Sequence, residues 1–139
     1  MLLSFVSICR EDADLTKRYE NTDNANIPKK ILWLGQSQRV LKSFPTEAKI
    51  IADNQLALVQ LGREPNNWKT MSIVGPGAME IRISQRGQYR VIFVAKFPEA
   101  VYVLHVFQKK TQKTSKYDLN RARDAYAQNQ EIRKKTTSN

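Results

Sequence analysis

The chain has 139 residues, of which 41% are apolar, and this suits a single globular domain. Its single cysteine excludes an internal disulfide. With one cysteine and one histidine, a metal centre built from several cysteine or histidine ligands is also excluded. It carries 23 Lys and Arg residues against 13 Asp and Glu residues, and residues 82–139 hold 13 of the bases but only 4 of the acids. This asymmetry predicts a polyanionic partner, either a nucleic acid or an acidic protein, although solubility alone is a simpler explanation.

The first 28 residues differ in composition from the rest. Residues 1–9 are apolar but shorter than the roughly 20 residues of a membrane span, and they lack the positive start and cleavage site of a signal peptide. A polar stretch rich in Asp, Asn and Thr follows. We expect a partly disordered extension over residues 1–28, a domain over 29–135 and a tail over 136–139, in a cytoplasmic protein without a membrane anchor.

The next segment predicts a strand and two helices. Residues 31–34 form a short apolar run closed by Gly35, which is typical of a buried strand. A short helix can follow over 37–43. Pro45 then opens a second helix that ends at Gly62, because proline suits the first helical turn and glycine the C-terminal end. The polar residues 63–77, which include Trp68 and Lys69, predict a loop.

Three strands and a helix are predicted in the C-terminal half. Apolar and polar residues alternate over 79–84, and strand-like runs follow at 89–97 and 101–107. Short turns join them into an antiparallel meander. Residues 117–135 then predict a helix whose apolar stripe consists of Leu119, Ala122, Ala125 and Tyr126.

The turn at residues 85–87 fixes the pairing of the first two of these strands. A glycine in third place predicts a type I turn followed by a left-handed residue, which sets Ser84 opposite Gln88. One sheet face then becomes apolar and should receive the two preceding helices. On the other face Arg82 lies directly opposite Arg90. Like charges so placed destabilise a sheet, which favours an anion bound between them; the alternative is pairing with a carboxylate such as Glu80.

The position of His105 depends on the second turn. A two- or four-residue turn at Pro98 places His105 opposite Ile92, on the face of the two arginines. A three-residue turn would bury it in the core instead, where a lone histidine usually forms a structural hydrogen bond. Both alternatives stay open.

A lysine-rich segment follows the last strand. Residues 108–116 contain four lysines and no acid, and they leave the sheet at the end that carries the two arginines. We expect the charges to converge there. Tyr117, Tyr89 and Trp68 would add aromatic surface on which bases could stack, although Trp68 and Tyr89 also suit internal packing.

Several segments follow one another along the chain: ILWLG at 31–35, a Gly-Xaa-Glu-Pro turn at 62–65, Trp68-Lys69, MEIR at 79–82, YRVIFVA at 89–95, and VYVLHVFQKKTQKT at 101–114. Together they resemble the RelE/ParE toxin superfamily, in its phage-related HigB-like branch, over about residues 29–127. The resemblance implies an α+β fold in which two helices pack on a twisted antiparallel sheet of about four strands, followed by a C-terminal helix.

The resemblance also implies a function. Members are toxins of type II toxin–antitoxin systems, neutralised by a cognate antitoxin protein, and those of the RelE and HigB kind are endoribonucleases that cut messenger RNA on the ribosome. The expected chemistry is metal-independent and needs no cofactor. The alternatives are a non-enzymatic gyrase inhibitor resembling ParE, or a basic nucleic-acid-binding domain without activity.

The candidate site residues fall into two groups. The catalytic group comprises Arg82, Arg90, Lys109, Lys110 and His105, with Glu80 as a further acid–base candidate; the RNA-binding group comprises Lys69, Lys113, Lys116 and Tyr117. In the expected reaction the arginines hold the phosphate, because guanidinium groups bind its oxygens in pairs. The lysines stabilise developing charge or assist proton transfer, and His105 acts as acid or base.

Overall fold

The computed structural model describes residues 27–137, so nearly all of the predicted extension over 1–28 and the last two residues of the predicted tail lie outside it. The elements in chain order are β1 Lys30–Trp33, α1 Ser37–Lys42, α2 Thr46–Gln60, β2 Trp68–Thr70, β3 Ala78–Ser84, β4 Gln88–Val94, β5 Ala100–Lys109 and α3 Lys116–Thr137. This α+β architecture confirms the predicted class.

The strands form one five-stranded mixed sheet in the order β1-β5-β4-β3-β2. The predicted antiparallel sheet of about four strands is wrong in two respects. β1 runs parallel to β5, because α1 and α2 carry the chain across one face of the sheet before the meander begins. The turn-rich segment expected to be a loop contains β2, in which Trp68 pairs with Ile81 and Lys69 with Glu80.

α1 and α2 cover the apolar face that the strand alternation predicts. α2 begins after Pro45 and ends at Gln60, and Gly62 follows with a φ of +79°, which suits a residue without a Cβ. Each fully buried Leu, Ile or Phe contributes about 1.5–3 kcal/mol to this core. Its main members are Leu41, Phe44, Ala48, Ala52, Leu56 and Val59 from the helical side and Ile81, Ile83, Tyr89, Val91, Phe93 and Val103 from the sheet.

α3 lies on the opposite face of the sheet. Its buried residues Ala122, Ala125 and Tyr126 pack with a second cluster that includes Ile92, Leu104 and Phe107. Of the described helices, α3 is the longest at 22 residues, yet none of them is long and apolar enough to cross a membrane. α3 covers only part of this second face of the sheet. The part that α3 leaves uncovered carries the polar side chains of β3, β4 and β5.

The hairpin between β3 and β4 has the predicted register. Ser84 pairs with Gln88 and Arg82 with Arg90. The turn itself differs from the prediction, because Arg86 adopts the left-handed conformation with φ +54° while Gly87 has φ +155°. The register is unaffected, since it depends on the number of residues in the turn.

The hairpin between β4 and β5 combines both predicted alternatives. Next to the turn, Phe93 pairs with Val103, as a three-residue connection requires. A β-bulge between Ile92 and Phe93 then shifts the pairing by one residue, so that Ile92 lies opposite His105. The bulge therefore places His105 on the α3 face, which also carries the two arginines.

Candidate nucleic-acid interface

Arg82 and Arg90 lie directly opposite each other on neighbouring strands, with both side chains on the α3 face. Arg82 is the more open, with 36% of its side chain exposed against 8% for Arg90. The Nε atoms of both lie near the same carboxylate oxygen, Oε1 of Glu80, at 3.4 Å for Arg82 and 3.9 Å for Arg90. The two guanidinium groups are thus close neighbours.

Glu80 does not satisfy the two arginines. It is only 1% exposed, yet its Oε2 atom and both arginine Nε atoms have no hydrogen-bond partner. One carboxylate shared at these distances offsets one of two positive charges. The predicted alternative, pairing of the arginines with a nearby carboxylate such as Glu80, is therefore met in part: both arginines form an ion pair with Glu80, but they share this one carboxylate. A net positive charge remains at the centre of this face.

Hydrogen bonds orient the guanidinium of Arg90. Its Nη1 atom donates to the carbonyl oxygen of Tyr89 at 2.9 Å, and both terminal nitrogens lie 3.4 Å from Oε1 of Gln88. Burial lowers the pKa of Arg90, Glu80 raises it, and the positive charge of Arg82 lowers it further. Arginine remains protonated under such shifts, so a desolvated cation is held in a fixed place.

Lys109 completes the cationic group. It ends β5, where it pairs with Gln88, and it is half-buried. Burial lowers its pKa, the charge of Arg90 lowers it further, and Glu80 opposes these effects. Gln88, Arg90, Lys109, Lys110, Thr111 and Gln112 line an open cleft of about 480 Å³, which we call the arginine cleft. Arg82 lies beside it on β3.

His105 lies in a different place from the other predicted catalytic residues. Its ring stacks on Phe107, with centroids 5.2 Å apart, and its Nε2 atom is 2.8 Å from Oδ1 of Asp118. On β5, Phe107 separates it from Lys109. The structure thus brings Arg82, Arg90 and Lys109 together, whereas His105 faces α3.

The remaining predicted residues surround these two centres. Lys110 lines the arginine cleft, and Lys69 lies opposite Glu80 on the edge strand, where its charge contributes to the lowered pKa of Lys109. Tyr117 is 68% exposed in the first turn of α3. Lys113 and Lys116 are exposed in and just after the connection between β5 and α3. Their predicted contact with RNA stays a prediction.

Sequence reasoning overlooked Asp118 as the partner of His105. The hydroxyl of Ser115 donates to Oδ2 of Asp118 at 2.7 Å, and the backbone N–H of Asp118 donates back to that hydroxyl at 3.1 Å. This reciprocal arrangement caps the start of α3. The Ser-Xaa-Xaa-Asp spacing is a signal for a helix start at Lys116, one residue before the predicted start at residue 117, but it does not link Asp118 to His105. Within residues 27–137, no three potential metal ligands of the His, Cys, Asp or Glu type come together.

Comparison with protein families adds one finding. A family model described as Phage derived protein Gp49-like (DUF891) matches residues 39–127, well over half of the chain. The matched part runs from α1 into α3 and includes all residues of the arginine cleft. None of the functionally curated proteins matches the chain closely enough to count as a relative.

Proposed function

Since the chain belongs to the Gp49-like family of phage-derived proteins, which is related to the RelE-like toxins, we propose that it is the toxin of a type II toxin–antitoxin pair and cuts messenger RNA on the ribosome. The observation that carries the proposal is the pair of opposed arginines beside Lys109, with one carboxylate between them. Such a group suits a single phosphate, whose oxygens accept hydrogen bonds from several cations at once. The proposed partners are ribosome-bound messenger RNA and a cognate antitoxin protein.

The proposed reaction uses the RNA itself as the nucleophile. The 2′-oxygen forms a bond to the adjacent phosphorus, its proton passes to water, and the bond from phosphorus to the 5′-oxygen breaks. The products are a 2′,3′-cyclic phosphate and a 5′-hydroxyl end. Arg82 and Arg90 would stabilise the negative charge that develops on the phosphoryl oxygens.

Lys109 is the proposed proton donor to the leaving 5′-oxygen. Its lowered pKa makes it a better donor than an ordinary lysine, because proton transfer is most efficient when the pKa of the acid approaches the working pH. Among the residues lining the arginine cleft there is no histidine or carboxylate to serve as a base. Orientation of the RNA by the ribosome would therefore supply much of the acceleration.

The test compares three proteins in a translating extract. Wild type and Arg63→Gln, which removes an exposed arginine that does not line the cleft, should cut a reporter messenger RNA to products with 2′,3′-cyclic phosphate ends. Arg90→Gln should reduce cleavage by at least about a hundredfold, the scale expected when a transition-state donor is lost. Intact messenger RNA with wild type would refute the proposal, and inhibited DNA supercoiling in a parallel assay would identify the non-enzymatic alternative.

A further inference from the structure

A second and larger cleft adjoins the arginine cleft. It has a volume of about 710 Å³ and lies between α1, β5 and α3. Lys110 lines both clefts. Because Lys110 directly follows Lys109 at the end of β5, a strand of RNA with a phosphate at Lys109 reaches the second cleft without leaving the protein surface. We call the second cleft the histidine cleft, after His105 in its wall.

One stripe of α3 forms a wall of the histidine cleft. Tyr117, Arg121, Asp124 and Gln128 all line it, and their spacing of four, three and four residues places them on one helical face. All four side chains are exposed. Arg121 lies over the ring of Tyr117, with its guanidinium carbon 5.9 Å from the ring centre. The stripe therefore presents, in a row along the helix, an aromatic ring, a cation, a hydrogen-bond acceptor and an amide.

Another part of the wall is held by contacts within the protein. Asp118 binds His105 and Ser115, and His105 stacks on Phe107. These groups are held by each other and give the cleft a fixed boundary. The polar groups left to meet a ligand are those of the stripe, Gln108 and Lys110 around the end of β5, and Gln36 and Arg39 on the α1 side.

This combination fits a nucleobase better than a second phosphate. A phosphate offers only acceptors and would be repelled by Asp124, whereas a base presents donors and acceptors on its edge and an aromatic face. Volumes of 300–1,000 Å³ are usual for small-ligand sites, and the cleft lies within that range. Tyr117 and Asp124 lie seven residues apart on one helical face, about 10 Å along the axis, so stacking on Tyr117 and hydrogen bonding to Asp124 involve the bases of two neighbouring nucleotides.

We propose that the histidine cleft binds the unpaired bases of two neighbouring nucleotides next to the phosphate held in the arginine cleft. The proposal rests on the proposed function and adds a determinant of sequence preference. Asp124 selects bases with an amino group on the edge presented to it, because a carboxylate accepts hydrogen bonds and donates none. Tyr117 contributes to the affinity for every base, because stacking does not depend on edge chemistry.

The experiment measures binding of fluorescent oligo(A), oligo(C) and oligo(U) by anisotropy at fixed salt. Tyr117→Ala should weaken binding to all three by roughly tenfold, within the range for loss of one base–aromatic stack. Asp124→Asn should change the ratio of the affinities for oligo(C) and oligo(U) at least about fivefold, within the range of one good base-edge contact. Glu131→Gln, which removes an equal charge from the same helix outside the cleft, should leave that ratio unchanged.

The outcomes separate this inference from the proposed function. If Arg90→Gln abolishes binding while Tyr117→Ala and Asp124→Asn both behave like wild type, the base site is overturned and the phosphate site stands. If the wild-type protein binds none of the three oligonucleotides at low salt, the base site is overturned, whereas the proposed function is decided by the cleavage assay in the translating extract. A ratio that changes equally in Asp124→Asn and Glu131→Gln would reduce the effect to overall charge and also overturn the base site.

Discussion

Replacement of the buried carboxylate by an amide, Glu80→Gln, tests the electrostatics of the candidate site. Glu80 and Arg90 are both nearly inaccessible to water, so the variant leaves a buried guanidinium without its counter-ion. Breaking a buried ion pair costs about 3–5 kcal/mol. The cost here should be lower, about 2–3 kcal/mol, because the ion pair lacks hydrogen bonds at 3.9 Å and the partly exposed Arg82 can be rehydrated.

The assay is urea unfolding followed by circular dichroism, with Glu64→Gln as a matched variant that removes an exposed acid. Glu64→Gln should change the free energy of unfolding by less than about 0.5 kcal/mol. The double variant with Arg90→Gln should be more stable than the sum of the two single effects predicts, because it removes both members of the pair. A Glu80→Gln protein as stable as Glu64→Gln would refute the assignment of Glu80 as the counter-ion.

Three further predictions concern other parts of the molecule. Lys109→Arg should keep RNA affinity within about twofold but lower the cleavage rate by roughly a hundredfold, because arginine retains the charge and does not release a proton. The wild-type rate should fall as the pH rises and Lys109 loses its proton, and this fall should begin below the ordinary lysine pKa of 10.5. Gly75→Ala should destabilise the protein by about 1–3 kcal/mol in thermal unfolding, since a Cβ there would lie 2.6 Å from the ring of Tyr126, whereas Ser72→Ala in the same loop should have little effect. Hydrogen bonding to Arg133 lowers the pKa of Glu99 from 4.5 to about 2, so the stabilisation by Glu99 is present above pH 4.5 and is lost as the pH falls through about 2. This stabilisation should be small because the side chain is 38% exposed. The difference in Tm between wild type and Glu99→Gln should therefore vanish at a pH below about 2.

The sequence predicts the pairing of β3 with β4 well, because this pairing depends on residues that are close together in the chain. Three residues between Ser84 and Gln88 determine which side chains of β3 and β4 meet, and alternation then assigns each residue to a face. The opposition of Arg82 and Arg90 follows from these two facts. The turn conformation was predicted incorrectly at Arg86 and Gly87, yet the same residue count preserved the register.

The features that the sequence did not predict depend on distant contacts. The bulge beside Ile92 changes the pairing within β5, and no turn signal marks it. β2 has three residues and exists because it pairs with the edge of β3. The contact between His105 and Asp118 joins a strand to a helix, so it depends on how α3 lies on the sheet.

The salt dependence of RNA binding tests the central claim, that Arg82 and Arg90 act on one phosphate, most directly. For a single strand, the slope of log Kd against log salt concentration changes by about 0.7 for each phosphate that the protein neutralises. The double variant of Arg82→Gln and Arg90→Gln should lower the slope by about 0.7, and neither single variant should lower it by more, because both arginines act on the same phosphate. A double variant whose slope falls by about 1.4, the value for two phosphates, or one whose slope equals that of wild type, would contradict the account.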